Sequence, residues 1–501
     1  MNAGRATVVR SWNMMENREV ELKLETDLAG IDVLAHASIF ALVDVEEHEQ
    51  TSTYFDTPEQ DIRKAGLSLR IRKIGTKRIQ TVKAESKAMA GLFARPEWEM
   101  AIRQDQPVID DHHMPLRTLV PAPQLERLSA IFRIVVTRQK RLIMQDGARI
   151  ELVFDRGEIQ ASGAITPISE VELELKSGSP GALFGLARTL DGLAPLQLST
   201  LSKAQRGYDL LARDNDRSVK SQTIPLTAGM TSSEGFQAIA YACLHQFRLN
   251  QSILLRAENP EALHQARVAL RRLRSAQSIF QDMLADDRFD HNKSELRWIA
   301  SELDMARDID VLLAGIHDQG AREKLRVAHA QAYAGATGAL TSPRLRILMF
   351  DLVEWITIGK WLTAAADRTL IEQPLDAFAS DVLDRCRRGI KRRGRHWARL
   401  DDKGRHRLRI KVKKLRYSAD FFGSLFPGKK AIRRHKACLS ALEKLQGFLG
   451  DLNDQQTGAA LLAKFGITDA SEHKHSRKSM LEGAAETYEV LVDAKRFWRG
   501  Q

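Results

Sequence analysis

Glu19-Val20-Glu21-Leu22-Lys23 alternates charged and apolar side chains without a break. An extended strand sends successive side chains to opposite faces, so Glu19, Glu21 and Lys23 share one face and Val20 and Leu22 the other. Two carboxylates and an ammonium on one face are costly to bury unless something lies between them. A divalent cation between the glutamates, with an anion against the lysine, satisfies all three. For so short a stretch a solvated strand face is the plain alternative, and what lies around it decides between the two.

Similar strands recur over the following residues. Leu69-Arg70-Ile71-Arg72 carries Arg70 and Arg72 on one face, and Ile79 to Lys83 ends in Lys83. Arg95-Pro96-Glu97-Trp98-Glu99 groups Arg95, Glu97 and Glu99. Phe132 to Lys140 carries Arg133, Arg138 and Lys140, and the strand from Glu151 to Asp155 carries those two acids. Glu170-Val171-Glu172-Leu173-Glu174-Leu175-Lys176 repeats the opening pattern one step longer. So many charged faces are odd for an open sheet. They fit strands that close into a barrel with a polar lumen and a covered outside.

With Tyr54-Phe55-Asp56-Thr57, Thr81-Val82-Lys83 and Ser202-Lys203-Ala204-Gln205-Arg206-Gly207-Tyr208 added, residues 16–213 resemble the CYTH domain of the triphosphate tunnel metalloenzymes. The resemblance implies an eight-stranded antiparallel β-tunnel, open at both ends, that binds triphosphate inside. It implies that Glu19, Glu21, Glu170 and Glu172 hold Mg2+ or Mn2+, with Glu174 a lesser contributor. Lys23, Lys83, Arg138 and Lys203 are the expected catalytic cations. Arg70, Arg72, Arg133, Lys140 and Arg206 are expected on substrate phosphates. Glu97, Glu99 and Asp155 are candidate helpers of the attacking water. No Cys or Ser stands in a nucleophile context, so direct attack by water is expected rather than a phosphoenzyme.

At 501 residues and 43% hydrophobic content the chain has room for two or three domains. No run of about 18 apolar residues occurs, so no membrane span is expected. The first fifteen residues hold Arg5 and Arg10 but no apolar segment of the secretory kind. Cys243, Cys386 and Cys438 are odd in number and far apart, which reads as reduced thiols in a cytoplasmic protein. Charge is unevenly placed. Residues 1–230 hold 30 Lys and Arg against 31 Asp and Glu, whereas residues 231–501 hold 46 against 33. Residues 385–436 alone hold 21 basic and 3 acidic side chains, a footprint for a polyanion. The polar stretch 214–230 reads as a linker.

After it the apolar period changes from two to about 3.6. Ser232 or Ser233 is placed to cap a helix running to about Arg256, and Asn259-Pro260 is a cap followed by proline at the first helical position. That second helix carries His264, Arg267, Arg271 and Arg274 on one arc, with Ala266, Leu270, Leu273 and Phe280 opposite. The pattern returns 142 positions later as His406, Arg409, Lys413 and Arg416, opposite Leu408, Val412, Leu415 and Phe422. Leu303-Asp304 and Leu449-Gly450-Asp451 give a second echo, so an internal duplication is expected. Residues 231–498 resemble the CHAD domain, an all-helical domain of two halves. The resemblance implies that His264, Arg267, Arg271, Arg272 and Arg274, with His406, Arg409, Lys413, Lys414 and Arg416, line a groove for inorganic polyphosphate. Lysine in the second set keeps the charge but loses the bidentate fork.

A solvated basic helix face is the bland reading. Nucleic acid is the rival partner, disfavoured except for nonspecific binding because the basic faces lack interleaved aromatics. The expected whole is an α+β multidomain chain, a β-tunnel followed by a two-half helical bundle. Its expected activity is metal-dependent hydrolysis of inorganic triphosphate to pyrophosphate and phosphate, as the pairing of the two domains resembles bacterial inorganic triphosphatases. Adenylate cyclase or thiamine-triphosphatase activity, or a non-catalytic polyphosphate-binding protein, are the alternatives.

Overall fold

The computed structural model describes residues 19–84, 92–109, 115–212, 217–363, 368–467 and 477–499, with backbone alone for Glu19, 92–95, Ala398 and 453–461. The chain divides into two compact units: residues up to Arg217 with Pro343–Glu354, and Ser218–Ser342 with Trp355 onward.

The first unit is built on ten strands: β1 (Glu19–Glu25), β2 (Glu46–Asp56), β3 (Leu67–Ile74), β4 (Lys77–Ala84), β5 (Leu92–Arg95), β6 (Glu97–Ile102), β7 (Ser129–Gln145), β8 (Ala148–Ala161), β9 (Ala164–Ser177) and β10 (Gln197–Leu198). They pair in the order β10-β1-β9-β8-β7-β2-β3-β4-β6, and β5 pairs with β1. The ladder does not run continuously into itself. Instead one segment meets both edges: β5 lies antiparallel on β1, and after Pro96 the chain continues as β6 on β4. Proline has no N–H to give a ladder, which suits it to this break.

Two tight hairpins fix the long strands. Asp146-Gly147 and Ser162-Gly163 have positive φ at both residues, as two-residue turns matching strand twist require. The register they impose sets Arg138 opposite Asp155 and Asp155 opposite Glu170, while Lys23 lies opposite Glu172. Alternation then sends these side chains to one face. The opposite face of β2, β3 and β4 carries Phe55, Leu67, Leu69, Ile71 and Val82, which pack with Ile62, Leu116, Val120 and Leu125 outside the strands.

One end of the lumen differs from a channel open at both ends. Tyr54, Phe132, Ile134, Val136, Ile159 and Ile168 form an apolar cluster with Ala204, Tyr208 and Leu210. The last three belong to a helix, Lys203–Ala212, that sits against the strands. Gly207 permits the approach, because a Cβ there would lie 2.2 Å from the Phe132 ring. Tyr208, edge-on to the same ring, donates to Asp56 Oδ2 at 2.6 Å and ties the helix to β2.

The second unit is helical. Its longer helices include α1 (Ser232–Arg256), α2 (Pro260–Ile279), α3 (Phe289–Glu302), α4 (Asp304–Gly315), α5 (Gln319–Thr341), α6 (Leu375–Gly394), α7 (Asp402–Phe422), α8 (Lys429–Lys464) and α9 (Arg477–Asp493). The cap of α1 is Thr231, one residue before the expected serines, because Glu234 completes a capping box with it. Asn259 caps α2 by accepting from Ala262 N at 2.9 Å. Residues at the 142-position offset meet at the centre. Phe236 lies tilted on Phe280 at 5.5 Å, Phe378 edge-on to Phe422 at 6.3 Å, and Phe280 edge-on to Phe422 at 6.1 Å. Among the described residues no helix is long and apolar enough to cross a membrane.

Candidate functional site

The inward faces of the strands enclose a cavity of about 630 Å³. Six glutamates and seven Lys or Arg residues line it among the described residues. Lys23 Nζ bridges Glu21, at 3.0 Å, and Glu172. Arg138 donates from Nε to Asp155 Oδ1 at 2.7 Å and reaches Glu172 at 2.9 Å. Lys203, from the helix packed on Phe132, meets Asp155 at 2.8 Å and Glu172 at 2.9 Å and also bonds Glu170. On β4 and β6, Lys83 pairs with Glu97 at 2.6 Å, and Thr81 donates to Glu99 at 2.9 Å.

Burial opposes charge on Glu172, Asp155, Lys203 and Arg138, and their partners win. Lys203, Lys23 and Arg138 hold the Glu172 carboxyl well below its usual range despite burial. Burial would raise Asp155, but Arg138 and Lys203 keep it low. Burial would lower Lys203 and Arg138, yet Asp155 heads the carboxylates that raise both. Arg72 is the exception. Neighbouring Arg70, then burial, then Arg138 push its guanidinium down to about 10, with Glu99 only partly offsetting them. The buried Nε atoms of Arg70 and Arg72 have no hydrogen-bond partner among the described residues. Burial would raise the Tyr54 phenol, but Arg70, Lys83 and Arg72 outweigh it and lower it. Tyr54 was not singled out as a site residue by the sequence; its inward phase with Gln50 and Ser52 was the available signal.

Most expected residues converge, with corrections. Glu170 is fully buried and held by Lys203 and by Arg206 at 2.8 Å rather than lining the cavity. Arg206 also donates to Pro167 O, so both lie behind the wall. Lys140 pairs with Glu151 at 2.7 Å, half-exposed. Arg133 is not in the lumen. Its partners across the ladder are Thr53 and Gln160, on the face opposite Arg138, because an odd number of residues separates them from the inward row. The Glu19 and Arg95 side chains lie outside the described residues.

In the helical unit, Arg267 pairs with Asp304 at 2.5 Å and lies 3.6 Å from Asp308. Burial, then Arg307, lowers His264, with Arg271 and Arg267 adding to the effect. Arg274 is lowered by burial and by Arg297. His406 is exposed, and Arg409 and Lys413 are half-buried. Arg416 donates to Gln446 Oε1 at 2.8 Å. Two expected groove residues point elsewhere. Arg272 is buried, paired with Asp420 and stacked over Phe421 at 5.0 Å. Lys414 donates to Ser278 O at 2.8 Å. Each stands about 100° around its helix from the preceding groove residue, which turns it toward the neighbouring helix.

The CYTH family pattern matches residues 17–208 and the CHAD pattern residues 238–463. The chain carries a CYTH domain followed by a CHAD domain. The CYTH part is 34% identical over 201 residues to a Haemophilus influenzae protein named inorganic triphosphatase, covering 39% of this chain and 56% of that protein. The chain thus spans about half the length of this curated relative. The CHAD domain structure from Ricinus communis is 27% identical, with a TM-score of 0.43 over 56% of this chain and 98% of that one. A Hippeastrum structure, described as a putative adenylyl cyclase with dominant triphosphatase activity, is 18% identical, with a TM-score of 0.30 over 38% of this chain and 95% of that one.

Among the described residues of the CYTH domain no three acidic, His or Cys side chains gather as a metal centre. The donor chemistry nonetheless fits a hard divalent ion. Glu21 and Glu172 both reach the single Lys23 Nζ, so one cationic position lies within range of two carboxylates.

Proposed function

We propose that the CYTH domain hydrolyses inorganic triphosphate to pyrophosphate and phosphate with Mg2+ or Mn2+, and that the CHAD domain binds polyphosphate. The observation that carries the first part is the crowding of Arg70, Arg72 and Arg138 in one cavity, with the Arg72 charge depressed by its like-charged neighbours. A ligand of dense negative charge relieves that repulsion. The name of the Haemophilus influenzae relative supports the same reaction class.

Phosphoryl transfer needs little covalent help; positioning and charge neutralisation supply most of the rate. Arg70, Arg72 and Arg138 would grip the phosphate oxygens, and Lys23, Lys83 and Lys203 would neutralise charge as the anhydride bond opens. Glu21 and Glu172 would hold the metal, which when bound neutralises phosphate charge and lowers the pKa of water. Glu97 and Glu99, in the same lining as Glu172, would orient the attacking water. Enclosure strengthens each charge contact relative to water. Tyr54 is the one aromatic ring in the cavity lining among the described residues, and it is already stacked on Phe132 at 4.6 Å. That leaves no ring pair to sandwich a nucleobase or thiamine and favours the inorganic substrate over cyclase or thiamine-triphosphatase chemistry.

The test is phosphate release from tripolyphosphate, ATP and thiamine triphosphate, each with Mg2+ or Mn2+. Release from tripolyphosphate with little from the others supports the reading. Cyclic AMP from ATP points to a cyclase, and no turnover of any substrate leaves a polyphosphate-binding protein.

A further inference from the structure

A second cavity, of about 210 Å³, lies in the helical unit between the end of α2 and helices α6 and α7. Asp282, Arg385, Cys386, Lys411 and Lys414 are among its lining. Three cations thus face one carboxylate. Lys414 Nζ donates to Ser278 O at 2.8 Å and Ser278 Oγ at 3.1 Å, neutral groups both. Arg385 lies 3.9 Å from Asp282. Among the described residues neither Lys411 nor Lys414 has a carboxylate within ion-pair distance. Burial holds Lys414 below its ordinary range, and Arg385 and Lys411 add to that.

The place 142 positions earlier in the chain is built differently. Cys243, Leu244 and Ala269 stand there for Arg385, Cys386 and Lys411, and all three are buried. Arg272 stands for Lys414, and it has Asp420 where Lys414 has only Ser278. That first place is packed and charge-balanced. The second keeps an open volume and a surplus of two positive charges. Unpaired cations gathered in a partly buried space are costly unless an anion joins them.

We propose that this cavity binds a compact tetrahedral oxyanion, either orthophosphate or the terminal phosphate of a condensed chain. Its volume admits a phosphate group, and its surplus charge matches a dianion. Arg385, Lys411 and Lys414, all in its lining, supply the N–H donors. The site is distinct from the basic face of His406, Arg409 and Lys413, and it does not depend on the polyphosphate reading of that face.

Cys386 in the lining offers the assay. The full-length protein is alkylated with a maleimide at constant ionic strength, and modification of Cys386 is followed by peptide mass spectrometry. Buried Cys243 and Cys438 serve as internal references. Orthophosphate at ten times its dissociation constant slows Cys386 labelling about tenfold. Lys411→Met, which removes a charge but no bond to the protein, raises the phosphate concentration needed by about tenfold. Protection by orthophosphate alone marks a free-ion site. Protection by tripolyphosphate or longer chains without protection by orthophosphate marks a chain-end site, and both support the proposal. Labelling that no phosphate slows, or protection unchanged in Lys411→Met, overturns it. Because the assay reads neither turnover nor groove binding, its failure is separable from theirs.

Discussion

Arg272 on α2 reaches Asp420 on α7, and Lys414, 142 positions after Arg272, reaches back to Ser278, 142 positions before Asp420. The two contacts are reciprocal: each helix sends a cation to the end of the other. One is a partly buried ion pair and the other a bond to a neutral carbonyl, so equivalent places carry unequal charge.

Arg272→Met is therefore expected to act on stability. Asp420 is about a third exposed, so it rehydrates, and the loss is roughly 1–3 kcal/mol rather than that of a fully buried pair. Urea unfolding of the variant against the wild type measures it. Arg271→Ala should do the opposite, lowering polyphosphate affinity while leaving the unfolding midpoint in place.

Lys203→Met removes the cation shared by Asp155, Glu170 and Glu172. Breaking such a buried cluster costs roughly 3–5 kcal/mol at neutral pH. Asp155 and Glu172 have lowered pKa values in the folded protein, so their stabilisation is present above the ordinary carboxylate range and fades as pH falls through the folded values. In the variant those values rise. The gap between variant and wild type should then narrow as pH falls below the ordinary carboxylate range, and a gap that widens would contradict the assignment.

Glu21→Ala should cut metal-dependent turnover of tripolyphosphate by at least about a hundredfold while leaving the circular dichroism spectrum unchanged. Wild-type activity in this variant would remove Glu21 from the metal site.

Arg72→Gln is expected to raise KM for tripolyphosphate about tenfold, since a charge-assisted bond is lost. The wild-type guanidinium titrates near 10, so the free enzyme loses this grip as pH rises toward that value. Its kcat/KM should fall on the alkaline limb, and the Gln variant should lack that component.

His264 is held below its ordinary range by burial and by Arg307, and a bound polyanion would raise it. Binding then takes up a proton. Polyphosphate affinity should climb several-fold as pH drops from 8 to 6, and His264→Gln should flatten the climb. Equilibrium binding at fixed salt reads the difference.

Much of the lumen was legible because strand period is two: Glu21, Lys23, Arg70, Arg72, Lys83 and Glu172 all fall on inward phases. Arg133 was misplaced by grouping it with Arg138 without counting phase, since five residues of separation put the two on opposite faces. Arg272 and Lys414 follow their basic neighbours in sequence but not around the helix. The helix Lys203–Ala212 closing on Phe132 was not readable, because a glycine contact between distant segments leaves no local period. Glu170 also kept its expected phase, yet Arg206 and Lys203 cover it.

Among the described residues the lumen is close to electrically balanced, six glutamates against seven Lys or Arg. Most of those cations are engaged with internal partners, so the lining displays little attraction for simple salts. A monovalent ion that displaces one carboxylate gains about what it breaks. Only a molecule with several charges on adjacent atoms exchanges many internal pairs in a single event, and the wall thereby discriminates by charge density without a fitted pocket.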